Sequence, residues 1–262
     1  MKLRQDVRHS ATRAMARAWT HVYDLDGTLY PIASGYEAAC RERVFEYMVS
    51  RLGCASRASA ERLWREHFAV HNQTLKSLRA AGFVVDADEY WTYSRGDPRE
   101  YLSTSSATRA AVEACGGGRR FVFTNAHERQ AGETLDALGL NGLFDGVFGA
   151  KGMGETCKPQ AEAFEAFFAA HGIDDPSRCV FFEDSLKNLR VASERFGMVT
   201  VLVAGPTLDE ELENGASEAT EATKFVDIIV RGGELTLDAL AAGVAAGSAR
   251  GRDALAHLLL EP

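Results

Sequence analysis

The sequence predicts an α/β fold: a doubly wound, Rossmann-like parallel sheet with a helical insertion after its first strand. Short apolar runs without polar alternation recur along the chain, as in strands buried on both faces. From about residue 103 onward, helical patterns separate most of these runs, which is the order expected of parallel strands joined by crossover helices. The 262 residues are enough for such a core together with a smaller inserted domain.

Six apolar segments are predicted to be the strands: residues 21–25, 120–124, 144–148, 179–183, 198–203 and 225–230. Between them, we predict a helix that ends at Leu138, a helix that begins with Pro159 at its first position, and a helix over residues 186–196. Residues 208–223 are acidic and lack apolar periodicity, so they are predicted to form a surface loop.

The insertion is predicted to be helical and to cover residues 34–102, with the core formed by residues 21–33 and 103–262. Its apolar pattern predicts a first helix that stops at Gly53 and a second helical run from Ala60 past Leu78. A segment rich in Tyr, Gly and Pro, residues 90–101, is predicted to be a loop.

Composition restricts the partners of this protein. The net charge of −8 argues against binding a nucleic acid polymer, whose phosphates are held mainly by Lys and Arg. It does not exclude a small phosphorylated ligand, because a metal ion can supply local positive charge. No apolar stretch approaches the roughly 20 residues of a membrane span, so no membrane association is expected.

The five scattered cysteines include no CxxC pair, which favours a reducing compartment and a cytoplasmic location. Residues 1–20 are rich in Arg and poor in acidic residues, and they read as a basic N-terminal extension. An organelle-targeting segment has a similar composition and stays open as an alternative.

Polar side chains stand at the carboxyl ends of the predicted strands, where doubly wound sheets bind their ligands. The residues are Asp24, Asp26, Thr124, Asn125, Lys158, Glu183 and Asp184. Lys158 differs from the others in lying in the loop before a predicted helix. Because the carboxyl ends of parallel strands share one edge of the sheet, we expect these groups to converge on one crevice.

Together these groups predict magnesium-dependent phosphoryl chemistry. Asp24, Asp26 and Asp184 offer the hard oxygen ligands that Mg²⁺ prefers, and a carboxylate can also attack phosphorus to form an aspartyl-phosphate. Lys158 would neutralise charge on the transferring oxygens, and Thr124 would hold them. A carboxylate two residues after the nucleophile can protonate the leaving oxygen and then activate water. Each motif alone is weak, since Asp-x-Asp is common in turns.

Taken in order, the motifs resemble a known family. The motifs are Asp-Leu-Asp-Gly-Thr-Leu at 24–29, Phe-Thr-Asn at 123–125, Lys-Pro at 158–159, and Phe-Glu-Asp-Ser at 182–185 followed by Asn188. In this order they are similar to the four-motif signature of the haloacid dehalogenase superfamily. The resemblance covers about residues 20–205 and implies the α/β fold already predicted from the apolar pattern.

The resemblance implies a role for each strand-end residue. Asp24 would be the nucleophile and Asp26 the general acid and base, and Thr124 and Lys158 would complete the catalytic set. Thr124, Asn125 and Lys158 would contact the substrate's phosphoryl group.

The implied metal is Mg²⁺. Its ligands would be Asp24, Asp184 and Asp26, the last through its backbone carbonyl. Glu183 is a weaker candidate that would act through water, and Asn188 would support the others.

Asp26 distinguishes two chemistries within the superfamily. The dehalogenases lack a second aspartate in the first motif, because a halide leaving group needs no proton. A phosphate ester leaves as an alkoxide and needs one, so Asp26 favours a phosphatase. The interval between Asp26 and Thr124 has room for a helical cap over residues 34–102, which would exclude water and select small substrates.

Three segments, 24–31, 97–102 and 181–188, look like the pyrimidine 5′-nucleotidase branch, which often has Asp where this chain has Glu183. The resemblance implies nucleoside monophosphates such as UMP or CMP as substrates. A phosphoglycolate or sugar-phosphate phosphatase is the first alternative, and a non-catalytic binding protein on the same fold is the second. Further candidate substrate contacts are Tyr30, Arg95, Asp97, Tyr101 and His127.

Overall fold

The computed structural model describes residues 19–116 and 118–259. Its centre is a six-stranded sheet in the order β3-β2-β1-β4-β5-β6, and all five neighbouring pairs are parallel. The strands are β1 (Thr20–Tyr23), β2 (Arg120–Phe123), β3 (Gly146–Phe148), β4 (Cys179–Glu183), β5 (Val199–Val203) and β6 (Ile228–Val230). The chain order reverses beside β1, so the sheet has its topological switch point there, as predicted for a doubly wound fold.

Helices surround this sheet. The α-helices are α1 (Tyr36–Ser50), α2 (Arg57–His71), α3 (Thr74–Ala80), α4 (Ala87–Arg95), α5 (Ser106–Ala114), α6 (Glu128–Ala137), α7 (Ala150–Met153), α8 (Ala161–His171), α9 (Leu186–Phe196), α10 (Pro206–Glu213), α11 (Ser217–Ala222), α12 (Leu237–Ala246) and α13 (Ala249–Ala254). Short 3₁₀ helices cover Ile32–Ser34, Pro98–Glu100, Pro176–Arg178 and Ala256–Leu259. In the part of the chain that is described, no helix is both long and apolar enough to cross a bilayer.

The two faces of the sheet are buried in separate hydrophobic clusters. Val22 on β1 packs in a cluster that includes Phe164 and Phe167 of α8. Its neighbour Tyr23 points to the opposite face, where the cluster includes Val112 of α5 and Leu135 of α6. Because successive side chains of a strand alternate between faces, a strand covered on both sides must be apolar throughout, which explains the runs in the sequence.

Helices α1 to α4 lie between β1 and α5 in the chain and have a hydrophobic cluster of their own. The cluster includes Phe45 and Met48 of α1, Leu78 of α3 and Tyr90 of α4. The helices of the insertion are therefore held together by their own buried apolar side chains.

Two predictions within the insertion were wrong. The single helical run from Ala60 past Leu78 is broken at Asn72, whose φ of 53° is left-handed, so two helices form instead of one. The loop predicted over residues 90–101 is helical as far as Arg95, because Asp86 caps the first turn of α4 by accepting a hydrogen bond from Glu89 N.

Two predictions within the core were also wrong. The loop predicted over residues 208–223 contains α10 and α11, where local helix formation prevails without a strong apolar stripe. Pro159 lies in a turn after a cis Lys158–Pro159 bond, and α8 begins two residues later with Gln160 as its N-cap. The basic extension predicted for residues 1–20 lies outside the described residues as far as residue 18.

A pair of helical glycines tests how closely the elements pack. At Gly243 on α12, an added Cβ would lie 2.5 Å from the carbonyl oxygen of Ile229 on β6. At Gly132 on α6, nothing lies within 4 Å of an added Cβ. We expect Gly243→Ala to destabilise the fold by about 1–3 kcal/mol through overpacking, and Gly132→Ala to stabilise it by roughly 0.5–1 kcal/mol through helix propensity. Urea denaturation measures both changes, and equal effects of the two substitutions would contradict the packing described.

Because of His21 on β1, we expect the free energy of unfolding to fall as the pH is lowered. Both ring nitrogens are buried without a hydrogen-bond partner in the described chain, and burial, reinforced by His257 and Arg120, lowers the pKa of His21 to about 3. Below pH ~6.5 the unfolded chain therefore binds a proton that the folded chain does not. The contribution of His21 to stability is complete above pH ~6.5 and falls by at most about 1.4 kcal/mol per pH unit as the pH drops towards 3.

The check is the free energy of unfolding from urea titrations at pH 5 and pH 7. We expect His21→Leu to lose less stability than the wild type over this interval, because the buried imidazole is gone. An identical loss in both proteins would contradict this assignment.

Candidate active site

The strand-end residues predicted from the sequence converge on one cavity. Its volume is about 630 Å³, and it lies at the carboxyl edge of the sheet beneath the insertion. All seven of them line it: Asp24, Asp26, Thr124, Asn125, Lys158, Glu183 and Asp184. They come from the ends of β1, β2 and β4 and from the turn before α8, so the parallel topology brings together groups that are far apart in the chain.

Lys158 occupies the centre of the site. Its Nζ donates hydrogen bonds to Asp24 Oδ1 at 2.6 Å, to Glu183 Oε2 at 2.8 Å and to the carbonyl oxygen of Phe123 at 2.7 Å. The side chain is 1% exposed. Burial disfavours its ammonium form, but the two adjacent carboxylates outweigh that penalty and raise the pKa of Lys158 above its ordinary value. A buried lysine is thus held charged beside the predicted nucleophile.

Glu183 is held by three donors. Oε2 accepts from Lys158 and from Asn188 Nδ2 at 2.9 Å, and Oε1 accepts from the backbone N–H of Ser185 at 3.1 Å. With the carboxylate oriented in this way, Glu183 fixes the position of Lys158. Asn188 has the supporting position expected from the sequence, through its contact with Glu183.

Asp24, Glu183 and Asp184 form the acidic group of the site, with one carboxylate oxygen from each within 4.8 Å of the others. Burial and the neighbouring carboxylates raise the pKa values of Asp24 and Asp184 well above the ordinary range. A divalent cation among these oxygens would remove that repulsion, and hard carboxylate oxygens suit Mg²⁺. The residues present therefore fit such an ion.

Gly27 is needed where the loop after β1 approaches this acidic group. Its φ is +79°, and an added Cβ would lie 2.4 Å from Asp184 Oδ2. Any other residue would meet both backbone strain and a steric clash with the carboxylate. The close approach of the loop to Asp184 thus depends on the missing side chain.

Asp26 has partners that sequence reasoning did not assign to it. Arg95 donates from one terminal nitrogen to Oδ2 at 2.9 Å and from the other to Oδ1 at 2.8 Å, and the Tyr30 hydroxyl also donates to Oδ1. Burial opposes ionisation of Asp26, but Arg95 and Tyr30 prevail and lower the pKa of its carboxyl group. The separation of 69 residues between Arg95 and Asp26 leaves no local sequence signal for this pair.

Thr124 and Asn125 hold the second strand end in place. Thr124 is 1% exposed, and its Oγ1 accepts from the backbone N–H of Ala126 at 3.0 Å. The Asn125 side chain donates to the carbonyl oxygen of Lys158 at 3.0 Å and accepts from the N–H of the same residue at 2.9 Å. In addition, Gln73 of the insertion donates to the carbonyl oxygen of Asn125 at 2.9 Å.

The insertion contributes the outer wall of the cavity, which the sequence did not identify. Trp64 stacks on Phe68 with ring centroids 4.7 Å apart, and the Arg41 guanidinium lies 5.6 Å from the centroid of Trp64. Glu37 has one buried oxygen without a partner in the described chain. Burial, followed by the charge of Asp26, raises the pKa of Glu37 to about 7.

Of the five further candidate substrate contacts, two lie at or behind the cavity and three lie outside it. Arg95 lines the cavity, and Tyr30 lies behind it on Asp26. Asp97, Tyr101 and His127 do not line it. They belong to the connections that flank the site: Asp97 caps the Pro98–Glu100 turn, and His127 caps α6.

Comparison with solved structures finds the same type of fold in one hydrolase, and two further matches have lower TM-scores. The haloacid dehalogenase-like hydrolase SP0104 from Streptococcus pneumoniae has a TM-score of 0.51 at 16% identity, covering 83% of this chain and 96% of that chain. L-2-haloacid dehalogenase from Xanthobacter autotrophicus has a TM-score of 0.48 at 17% identity, covering 78% and 86%. The hydrolase YfnB from Bacillus subtilis, bound to magnesium, has a TM-score of 0.48 at 18% identity, covering 71% and 86%.

At 16% identity the likeness to SP0104 concerns the fold alone. The family follows from the sequence itself, because the model of the haloacid dehalogenase-like hydrolases matches residues 20–194, more than half of the chain. The match contains all four motifs and confirms the resemblance at the level of the superfamily. The chain therefore belongs to the haloacid dehalogenase-like hydrolases.

Proposed function

We propose that this protein is a magnesium-dependent phosphomonoesterase that works through an aspartyl-phosphate intermediate. The observation that supports this most directly is Asp26, which lines the same cavity as Asp24 and Lys158. A carboxylate at that position can serve a leaving group that needs a proton, whereas a halide would have no use for it. The buried ammonium of Lys158 against Asp24 also suits attack on an anionic phosphoryl group.

The proposed reaction has two displacements. In the first, a carboxylate oxygen of Asp24 forms a bond to phosphorus and the bond from phosphorus to the ester oxygen breaks. Asp26 gives the departing alkoxide a proton, which it must first take up from solvent against the influence of Arg95 and Tyr30. In the second, Asp26 takes a proton from water while the water oxygen attacks phosphorus. Asp24 then leaves as a carboxylate and inorganic phosphate is released.

Thr124 would bind the phosphoryl oxygens, and the charge of the Lys158 ammonium, whose three N–H groups bond Asp24, Glu183 and Phe123, would stabilise them. Asn125 keeps the turn of Lys158 against the end of β2. When bound, Mg²⁺ would supply positive charge next to the nucleophile and the transferring group. The residues that would hold it are Asp24 and Asp184, with the backbone carbonyl of Asp26.

We further propose that residues 34–102 act as a cap over the site and that the substrate is a nucleoside 5′-monophosphate. The cavity of about 630 Å³ falls within the range of ordinary small-molecule sites. Its outer wall, with Trp64, Phe68 and Arg41, offers planar groups to a base, while the phosphate end is occupied by Asp24 and Lys158. This arrangement supports a substrate with an anionic and a planar end.

A phosphoglycolate or sugar-phosphate phosphatase is the alternative within the same chemistry. Arg41 favours it as well, because its guanidinium forms no hydrogen bond or ion pair within the described residues and could bind a second anionic group of the substrate. A non-catalytic binding protein would have no need for Asp24, Asp26, Lys158 and Asp184 together.

The first prediction tests the nucleophile. With magnesium, the wild-type protein should hydrolyse p-nitrophenyl phosphate, and Asp24→Asn should lower kcat by on the order of 10³-fold or more, because an amide does not attack phosphorus. Removing the metal with a chelator should abolish the wild-type activity. Asp97→Asn is the matched control, since Asp97 lies outside the cavity, and it should retain wild-type activity.

Phosphate release that is equal in the wild type and in Asp24→Asn would contradict the phosphatase and favour the binding protein. Chloride release from 2-haloacids without added metal would instead indicate a dehalogenase.

The second prediction concerns the substrate. In a panel of nucleoside monophosphates, phosphoglycolate and hexose phosphates, we expect the highest kcat/KM for UMP and CMP. If these two are among the poorest substrates, the nucleotidase assignment fails and the more general phosphatase proposal remains.

A further inference from the structure

The carboxylate of Asp26 is engaged on both of its oxygens. Arg95 binds Oδ1 and Oδ2 with separate terminal nitrogens at 2.8 and 2.9 Å, a two-pronged geometry that fixes the plane of the carboxylate as well as its distance. Tyr30, itself 2% exposed, donates to Oδ1. The side chain of Asp26 remains 25% exposed towards the cavity. Arg95 and Tyr30 therefore hold the Asp26 carboxylate from one side, and its other side faces the cavity.

Arg95 has no comparable alternative partner. Its side chain is 7% exposed, and its only other polar side-chain contact in the described chain is a long one, 3.4 Å to Thr134 Oγ1. Its Nε has no partner there, and its guanidinium lies over the Tyr36 ring at 4.8 Å. A buried guanidinium needs a counter-charge, so Arg95 and Asp26 hold each other in place.

The position of Arg95 is itself fixed by the end of the insertion. It is the last residue of α4, and its carbonyl oxygen accepts a hydrogen bond from Arg43 at 3.3 Å. Gly96 follows with φ +57°, and a Cβ there would lie 2.5 Å from Arg43 Cζ. The chain turns sharply at this point, which leaves Arg95 directed at the loop after β1 and ties the insertion to Asp26.

From this geometry we infer that Arg95 is a positioning residue for Asp26: the guanidinium holds the carboxylate at the angle from which it serves the leaving group and the hydrolytic water. The inference rests on the proposed phosphatase function. It assigns to Arg95 a task that differs from contacting the substrate, because both terminal nitrogens are already bonded to Asp26.

The test uses Arg95→Met, which keeps much of the apolar stem and removes the fork. On UMP with magnesium we expect kcat to fall by about 10–100-fold, a typical effect of losing a group that orients another, and by less than in Asp26→Asn. On p-nitrophenyl phosphate, the first displacement needs no proton. Rapid mixing should therefore show one equivalent of p-nitrophenol released quickly, followed by slow turnover, because only the water step depends on Asp26.

Arg99→Met is the matched control. Arg99 lies four residues after Arg95, is 60% exposed and pairs with Asp97 at 3.7 Å, but the structure shows no contact of its side chain with Arg95 or Asp26. It should retain the wild-type kcat on UMP and show no change in the rapid phase. The double variant Asp26→Asn/Arg95→Met should be no slower than Asp26→Asn alone, because Arg95 acts only through Asp26.

The outcomes separate this inference from the proposed function. If the wild type is an active phosphatase and Arg95→Met behaves like Arg99→Met, the positioning role fails and the function stands. Additive losses in the double variant, or equal slowing of the rapid and slow phases in Arg95→Met, would also overturn it. If the wild type releases phosphate from no ester with magnesium present, the proposed function and this inference fail together.

Discussion

The structure of the site depends on one buried cation. Lys158 bonds Asp24, Glu183 and the carbonyl oxygen of Phe123 at 2.6 to 2.8 Å, which ties the ends of β1, β2 and β4 together from the turn before α8. Without it, two buried carboxylates would face each other uncompensated, at a cost of several kcal/mol. The same ammonium that makes this arrangement tolerable also stands next to the phosphoryl position of the proposed reaction.

Lys158 compensates only part of the negative charge. Asp184 adds a third carboxylate, and the pKa values of Asp24 and Asp184 remain raised, because burial and mutual repulsion outweigh the attraction to the lysine. This excess of negative charge is what a divalent cation would relieve. The same crowding requires Gly27, because the loop carrying Asp24 and Asp26 approaches Asp184 too closely for any side chain. In the proposed function, binding and catalysis would thus be favoured at the expense of local stability.

The insertion is connected to the site at several points rather than resting over it. Arg95 holds Asp26, Gln73 bonds the backbone of Asn125, and Lys76 bonds the carbonyl oxygens of Gly154 and Thr156 on the core. These contacts place the aromatic wall of α2 opposite the carboxylates. In the proposed function, selection of the substrate and placement of the acid/base group would therefore depend on the same structural element.

The sequence by itself determined the layered core and the identity of the strand-end residues, because both follow from local patterns: apolar runs for buried strands, and polar groups directly after them. It did not determine the break at Asn72, the helical start of the segment 90–101, or the pairing of Arg95 with Asp26. The break at Asn72 and the start of α4 at the Asp86 cap are local features that the apolar pattern does not encode. The pairing of Arg95 with Asp26 joins residues distant in the chain, and a buried guanidinium reveals its partner only once the helix that carries it has packed.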